Sequence, residues 1–210
     1  MPDAGNLADA SRRRSVTVAG HRGDARAARD ALTDPDPAVR AAAVGAAARA
    51  GALGDLDLAA AMRDGDPGVR RRAVEVAAAG GDWPGAAAAV SERLTDDDPS
   101  VVEVAAWALG ELGERSPLPA GTVEALASLA TDHEDPLVRE AAVAALGALG
   151  DPGGLPAILA ATTDRPAVRR RAVLALASYE GPQVDAALER ARTDRDWQVR
   201  DAAELLLRDD

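Results

Sequence analysis

The sequence predicts an all-α fold built from about six stacked helix pairs, and two observations lead to this prediction. Ala, Leu and Val dominate the apolar positions of the 210-residue chain, Phe is absent, and there is one Tyr. Ala is the strongest helix former, whereas strands favour β-branched and aromatic side chains. The second observation is a sequence repeat of roughly 30 residues, the length of two helices with two turns. Together these observations indicate a helical repeat protein.

Each copy of the repeat contains one long helix with recognisable start and stop signals. Most copies begin with Asp followed by Pro at the first helical position, and most end at or near a Gly. Shorter apolar stretches at 55–63, 122–130 and 155–162 predict the partner helices. Each unit is therefore predicted to be a short helix, an Asp-Pro turn and a long helix. The six copies begin at Asp36, Asp66, Asp98, Asp135, Arg165 and Asp196.

A small residue recurs at one place in every long helix. Four residues after the first Val of each copy, all six copies have Ala: Ala43, Ala73, Ala105, Ala142, Ala172 and Ala203. A methyl group at a fixed position permits close approach of neighbouring helices. We therefore expect these alanines in a buried seam, with positions two, six and ten after the Val on the opposite, exposed face.

The pattern resembles HEAT repeats, specifically the short bacterial type also found in phycobilin lyase subunits, and the resemblance covers residues 22–210. It implies a right-handed α-α superhelix with the long second helices on the concave face. Residues 1–20 match poorly, so we expect an N-terminal capping helix or degenerate half-repeat there, and six repeats forming a single domain over 21–210. The absence of Lys beside abundant Ala, Arg and Gly suggests GC-rich codon usage and a bacterial source.

The charge of the chain disfavours several classes of partner. The net charge of -11 arises from 35 acidic residues and 24 basic ones, all of them Arg. Nucleic acid is not an expected partner, because binding to it depends on a basic surface. No apolar run follows the arginines near the N-terminus, so neither a signal peptide nor a membrane anchor is expected. With no Cys in the chain, we expect a cytoplasmic protein without membrane attachment.

An Arg follows the first Val in five of the six copies, as Arg40, Arg70, Arg139, Arg169 and Arg200. The helical wheel places this position inside the buried arc, where Arg needs an acidic partner. The family resemblance implies a ladder that pairs these arginines with the recurring Asp of the repeats, and binding of phosphate or carboxylate is the alternative. The ladder should be interrupted where Val102 replaces Arg and where Arg165 replaces Asp.

The sequence contains no convincing catalytic or cofactor motif. His133 lies in a polar run from Asp132 to Asp135, but metal ligation needs several convergent ligands and the only other His is His21. Three Arg clusters could hold an anion, although helix-surface Arg is the simpler interpretation. They are Arg12 to Arg14, Arg70 to Arg72 and Arg169 to Arg171. We therefore expect no enzyme activity, no metal and no cofactor.

Trp107 falls on the predicted exposed face of its helix, with Glu103 and Glu111 one turn to either side. Exposed Trp is typical of binding hot spots, and packing on the connection at 114–121 is the alternative. Residues 85–150 hold 12 acidic residues and 3 Arg, a field that attracts a basic partner. The candidate partner-binding stripe on the concave face comprises Arg71, Glu75, Glu103, Trp107, Glu111, Glu140, Arg170 and Leu174.

These features predict a non-enzymatic scaffold or adaptor that binds a protein or peptide, expected to be basic, on the concave face. The first alternative is an accessory subunit of an enzyme, lyase-like or chaperone-like, and a bilin-transfer assay would test the lyase-like form. The second is nucleic-acid binding, which predicts retention on heparin or DNA.

Overall fold

The computed structural model describes residues 4–80, 83 and 85–208, and over these residues the chain forms helices and no strand. The predicted all-α class is therefore confirmed. The chain divides into two compact units, an N-terminal unit of Met1–Ala89 and a C-terminal unit of Val90–Asp210. The single domain expected over 21–210 stays a prediction.

The N-terminal unit contains three long helices that pack side by side, α1 on α3 and α3 on α5. Short helix α2 packs on α3, and short helix α4 packs on α5. A 3₁₀ turn, Ala31–Thr33, follows α2. The helices are α1 (Ala4–His21), α2 (Ala25–Asp30), α3 (Pro37–Arg49), α4 (Asp55–Ala61) and α5 (Pro67–Ala79).

In the C-terminal unit the long helices stack in the order α7, α9, α11 and α13, each packing on the next. Short helices α8, α10 and α12 pack against α9, α11 and α13 respectively. Three of the predicted units of short helix, turn and long helix are thus present in the C-terminal unit. The helices are α7 (Pro99–Gly113), α8 (Thr122–Asp132), α9 (Pro136–Leu149), α10 (Leu155–Ala161), α11 (Pro166–Ala175), α12 (Pro182–Ala191) and α13 (Trp197–Leu207).

Helix α6 (Ala86–Ser91) contains the boundary between the two units. Three further 3₁₀ turns lie at Glu92–Thr95, Pro152–Gly154 and Leu176–Ser178.

The Asp-Pro signals start the long helices as the sequence predicts. In five of these helices the Asp side chain accepts a hydrogen bond from the backbone N–H two residues later, which satisfies one free donor of the first turn. The capping residues are Asp36, Asp66, Asp98, Asp135 and Asp196. Arg165, the N-cap residue of α11, makes no such side-chain bond.

The recurring alanines form the predicted seam. All six, Ala43, Ala73, Ala105, Ala142, Ala172 and Ala203, are 0% exposed. Gly147 of α9 contributes to the same close packing, because a methyl group built there would stand 2.6 Å from the Cβ of Ala175 in α11. The long helices therefore approach one another closely enough that larger side chains would not fit.

Candidate functional site

The Arg series forms a structural ladder between consecutive repeats. Arg139 of α9 donates from Nε to Asp164 Oδ2 at 2.6 Å and from Nη2 to Oδ1 at 2.8 Å. Arg169 of α11 makes the same pair of bonds to Asp194, at 2.9 Å and 2.8 Å. In the N-terminal unit Arg40 of α3 bonds to Asp64 at 2.8 Å and 2.7 Å. A bidentate Arg–carboxylate pair combines electrostatic strength with a fixed geometry.

The sequence predicts that each ladder Arg pairs with the recurring Asp at a helix start, and this pairing is wrong. The Asp that pairs with each Arg lies in the turn, one or two residues before the N-cap residue of the next long helix. The N-capping Asp residues instead bond to the first turn of their own helices. Asp64 accepts hydrogen bonds from the Arg40 guanidinium and from the backbone N–H of Asp66, the latter at 2.9 Å. A second recurring Asp, two positions before the capping one, was the sequence signal for this role. It stands at Asp34, Asp64, Asp96 and Asp194.

The ladder is interrupted at Val102, as predicted, and both members of the pair are replaced there. Val102 is 2% exposed, and the corresponding turn residue before α9 is His133. His133 accepts the backbone N–H of Asp135 at Nδ1, at 3.1 Å, so the imidazole keeps the turn-forming part of the Asp role. Among the described residues, no group of three or more His, Cys, Asp or Glu is placed to hold a metal ion.

The interruption predicted at Arg165 is wrong. Asp164, one residue earlier, supplies the carboxylate to Arg139, and its Oδ1 accepts the Arg165 N–H at 2.5 Å. Arg12 of α1, which the sequence places in a cluster that could hold an anion, also pairs with a turn Asp as the ladder arginines do. Its Nε lies 3.2 Å from Asp34 Oδ2.

Pairing raises the pKa of the ladder arginines Arg40, Arg139 and Arg169 and lowers the pKa of their Asp partners. A hydrogen bond from the paired Arg is the main cause that lowers the pKa of Asp64, Asp164 and Asp194. For Asp34 the largest cause of the lowered pKa is the backbone N–H of Asp36, followed by opposing burial and then by Arg12. Because Asp carboxylates already bind these guanidinium groups, the geometry favours the structural interpretation of the ladder over binding of phosphate or carboxylate ligands.

Trp107 lies on the exposed face of α7. Its exposed fraction is 43%, while Ala106 and Ala108 on either side are fully buried. Glu111 is exposed and Glu103 is half-buried, and within the described part of the chain neither forms an ion pair. This helix face therefore presents an aromatic ring between two uncompensated carboxylates.

The next two long helices carry the other stripe residues of the C-terminal unit. On α9, Glu140 is half-buried, and its Oε1 lies 3.6 Å from Nη2 of Arg171 in α11. On α11, Arg170 is exposed and Leu174 is half-buried. Binding by any of these residues stays a prediction.

Arg71 and Glu75, the two remaining stripe residues, belong to the N-terminal unit. Arg71 Nε lies 3.3 Å from Glu75 Oε1 along α5. Both line a groove of about 380 Å³ in that unit.

The two units differ in charge. The N-terminal unit contains 12 Arg and 12 acidic residues, whereas the C-terminal unit contains 12 Arg and 23 acidic residues. The whole net charge of -11 therefore resides in the C-terminal unit. The sequence shows that residues 85–150 are acidic. The neutrality of the N-terminal unit becomes visible only when the structure gives the boundary between the two units.

Stacked helix pairs, a buried Ala seam and an Arg–Asp ladder define an all-α helical repeat protein. The model of the HEAT repeat family matches residues 56–120, 105–166 and 123–208, which together cover more than half of the chain. The chain belongs to the HEAT repeat family. This match is to HEAT repeats in general and does not distinguish the phycobilin lyase type. No curated protein sequence matches the chain significantly.

Several solved structures share the fold. One engineered protein is 24% identical with a TM-score of 0.67, covering 88% of this chain and 97% of its own. Another engineered protein is 23% identical with a TM-score of 0.64, covering 88% and 95%. A computationally designed armadillo repeat protein for modular peptide recognition is 19% identical with a TM-score of 0.58, covering 85% and 96%. At these identities the similarity shows the fold alone.

In the described part of the chain, every helix is too short or too polar to cross a membrane.

Proposed function

We propose that the chain is a non-enzymatic scaffold that binds a basic protein or peptide segment on the Trp107 face. This face comprises Glu103, Trp107 and Glu111 of α7, with Glu140, Arg170 and Leu174 on the adjoining helices. The observation that carries the proposal is the half-exposed Trp107 between two carboxylates that have no ion-pair partner among the described residues.

The two kinds of side chain on this face have different roles in the proposal. Trp107 is the anchor, since burying an exposed indole removes a large apolar area from water and Trp dominates many interfaces. Glu103 and Glu111 orient the partner and speed its approach, because oppositely charged surfaces raise association rates. The excess of acids in the C-terminal unit extends this attraction beyond the contact itself.

The family supports the proposal in general terms, because stacked helical repeats present extended surfaces suited to binding. A designed armadillo protein of the same fold is built for modular peptide recognition, and we transfer to this chain only the class of ligand. The excess negative charge disfavours nucleic acid as the partner. A cytoplasmic location without membrane attachment remains part of the proposal.

Affinity capture with three versions of the chain tests the proposal. Wild type, Trp107→Ala and Trp197→Ala are immobilised separately, and Trp197 is a matched control because it is 64% exposed and lies on α13. We expect wild type and Trp197→Ala to retain basic proteins that Trp107→Ala does not retain. Equal retention by all three versions, or no retained protein at physiological salt, contradicts the proposal. Recovery of an enzyme whose activity depends on the chain would favour the accessory-subunit alternative.

A further inference from the structure

A groove in the N-terminal unit is lined by arginines. Its first part has a volume of about 380 Å³ and is bounded by Arg13 of α1, Arg49 of α3 and Arg71 and Arg72 of α5. Its second part has a volume of about 560 Å³ and is lined by Arg49, Arg72 and Trp83 together with Leu53 and Val76. Arg49 and Arg72 border both parts, so the two parts adjoin.

The lining is strongly cationic. Among the described residues that line the first part of the groove, Glu75 is the one carboxylate. Its oxygens lie 2.8 Å from Arg72 and 3.3 Å from Arg71. Arg13 and Arg49 have no ion-pair partner within the described ranges of the chain. Four guanidinium groups against one carboxylate leave an uncompensated positive charge at this site.

Gly45 of α3 makes room for one of these arginines. A methyl group built at Gly45 would overlap the Arg72 guanidinium, which crosses over the helix at this point. Gly is unfavourable inside a helix, so an adjacent side chain that needs the space is a physical reason for it. The Arg72 guanidinium is thus held by Gly45 beneath it and by Glu75 beside it, in one place at the junction of the two parts.

The two ends of the groove differ in chemistry. The first part adjoins the N-terminal turns of α3 and α5, at Ala38 and Gly68, where the helix dipoles favour negative charge. The second part adjoins their C-terminal turns, at Ala48 and Ala79. Trp83 forms an apolar wall there, and its Nε1 donates to Gly80 O at 3.2 Å. A fitting ligand has carboxylates at one end and an apolar side chain at the other.

We infer that this groove binds an acidic peptide segment, with carboxylates at Arg13, Arg49 and Arg71 and one apolar side chain against Trp83. The electrically neutral N-terminal unit permits such a ligand, whereas the acidic C-terminal unit would repel it. The inference therefore concerns a second surface, of opposite charge to the Trp107 face, and does not depend on the proposed function.

Tryptophan fluorescence provides a direct test, because the chain has three Trp residues. The variant Trp107→Phe/Trp197→Phe keeps Trp83 as the single reporter. The titrant is a blocked peptide of consecutive glutamates followed by two leucines and a glycine, and the same peptide with lysines in place of glutamates is the control. We expect a saturable change in Trp83 emission with the acidic peptide and none with the basic one.

Charge-matched variants of the single-Trp chain locate the binding. Arg49→Gln/Arg71→Gln removes two groove charges, and Arg22→Gln/Arg26→Gln removes two exposed charges elsewhere in the same unit. We expect affinity to fall by about tenfold or more in the groove variant and by less than about twofold in the control. Circular dichroism confirms that both variants fold.

Three outcomes would overturn the inference. They are equal affinity of both variants, binding of the peptide by anisotropy with no response from Trp83, and tighter binding of a single-stranded oligonucleotide than of the acidic peptide. None of them bears on the Trp107 face, because that face is absent from this readout and takes a basic ligand.

Discussion

Arg139 of α9 joins two turns of the C-terminal unit through one guanidinium group. It donates to both carboxylate oxygens of Asp164 before α11, at 2.6 Å and 2.8 Å, and from Nη1 to His133 O at 2.7 Å in the turn before α9. Because each ladder Arg is held by its own turn and reaches the next, the spacing of successive repeats is fixed by hydrogen bonds as well as by the Ala seam.

Replacing Asp164 by Asn should destabilise the C-terminal unit at neutral pH. The Arg139 and Asp164 side chains are only 12% and 19% exposed, so the amide leaves a largely buried guanidinium without its counter-charge. We expect a loss of about 2 kcal/mol in the free energy of unfolding, as for hydrogen bonds to charged groups. Urea denaturation measures it, with Asp201→Asn on the exposed face of α13 as the control. A loss equal to that of the control would show that the ladder contributes nothing.

The ladder also predicts how stability depends on pH. The pKa values of Asp64, Asp164 and Asp194 are lowered in the folded chain, chiefly by their Arg partners. Their contribution is therefore complete above the unfolded-state value of about 3.9 and is lost as pH falls through the lower folded-state values. We expect the free energy of unfolding to fall below about pH 4, and less steeply in Asp164→Asn. Identical slopes for variant and wild type in this range would contradict the assignment.

A double-mutant cycle tests the interruption of the ladder at Val102 and His133. Val102→Arg alone should destabilise the fold, because it places a cation at a position that is 2% exposed. His133→Asp supplies the carboxylate found in the intact turns. We expect the pair to be more stable than the sum of the single changes by about 1 to 3 kcal/mol, a favourable coupling measured by urea denaturation. Additive effects would mean that the two positions do not correspond as ladder partners.

Two glycines inside long helices should respond oppositely to the same substitution. Gly147→Ala should cost about 1 to 3 kcal/mol, because its methyl would stand 2.6 Å from Ala175 Cβ and 2.9 Å from Ala175 Cα. Gly45→Ala should be neutral or stabilising, since it improves helix propensity and meets only the movable end of Arg72. Gly45→Ala should nevertheless weaken acidic-peptide binding in the N-terminal unit. Thermal unfolding and the Trp83 titration measure the two effects, and a strongly destabilised Gly45→Ala would contradict this account.

The periodic features of the fold could be predicted from the sequence because they depend on local chemistry. Asp-Pro starts and the Ala seam act within one helix or between neighbours, and the structure confirms them. The predicted Gly stops are confirmed at Gly80 and Gly150, whereas α11 ends at Ala175, well before Gly181. The exposure of Trp107 follows from the same helical period, since Ala106 and Ala108 must then point inward.

The features that depend on three-dimensional proximity could not be predicted in this way. Asp164 and Arg139 are 25 positions apart, and the choice between Asp164 and the neighbouring repeat position Arg165 depends on the turn geometry. The sequence shows Arg12 to Arg14 and Arg70 to Arg72 as two separate clusters, for which helix-surface Arg is the simpler interpretation, and it shows Arg49 as an isolated residue. Only the packing of α1, α3 and α5 brings Arg13, Arg49 and Arg71 to one cavity.

Binding of a basic partner by the Trp107 face is tested most directly by the association and dissociation kinetics of the captured partner. Trp107→Ala should weaken binding by about 2 kcal/mol or more, mainly through faster dissociation, with the free energy of unfolding nearly unchanged. Glu103→Gln should mainly slow association and reduce its dependence on salt. If Trp107→Ala instead unfolds the chain while the folded fraction keeps its affinity, Trp107 is a core residue and the proposal is contradicted.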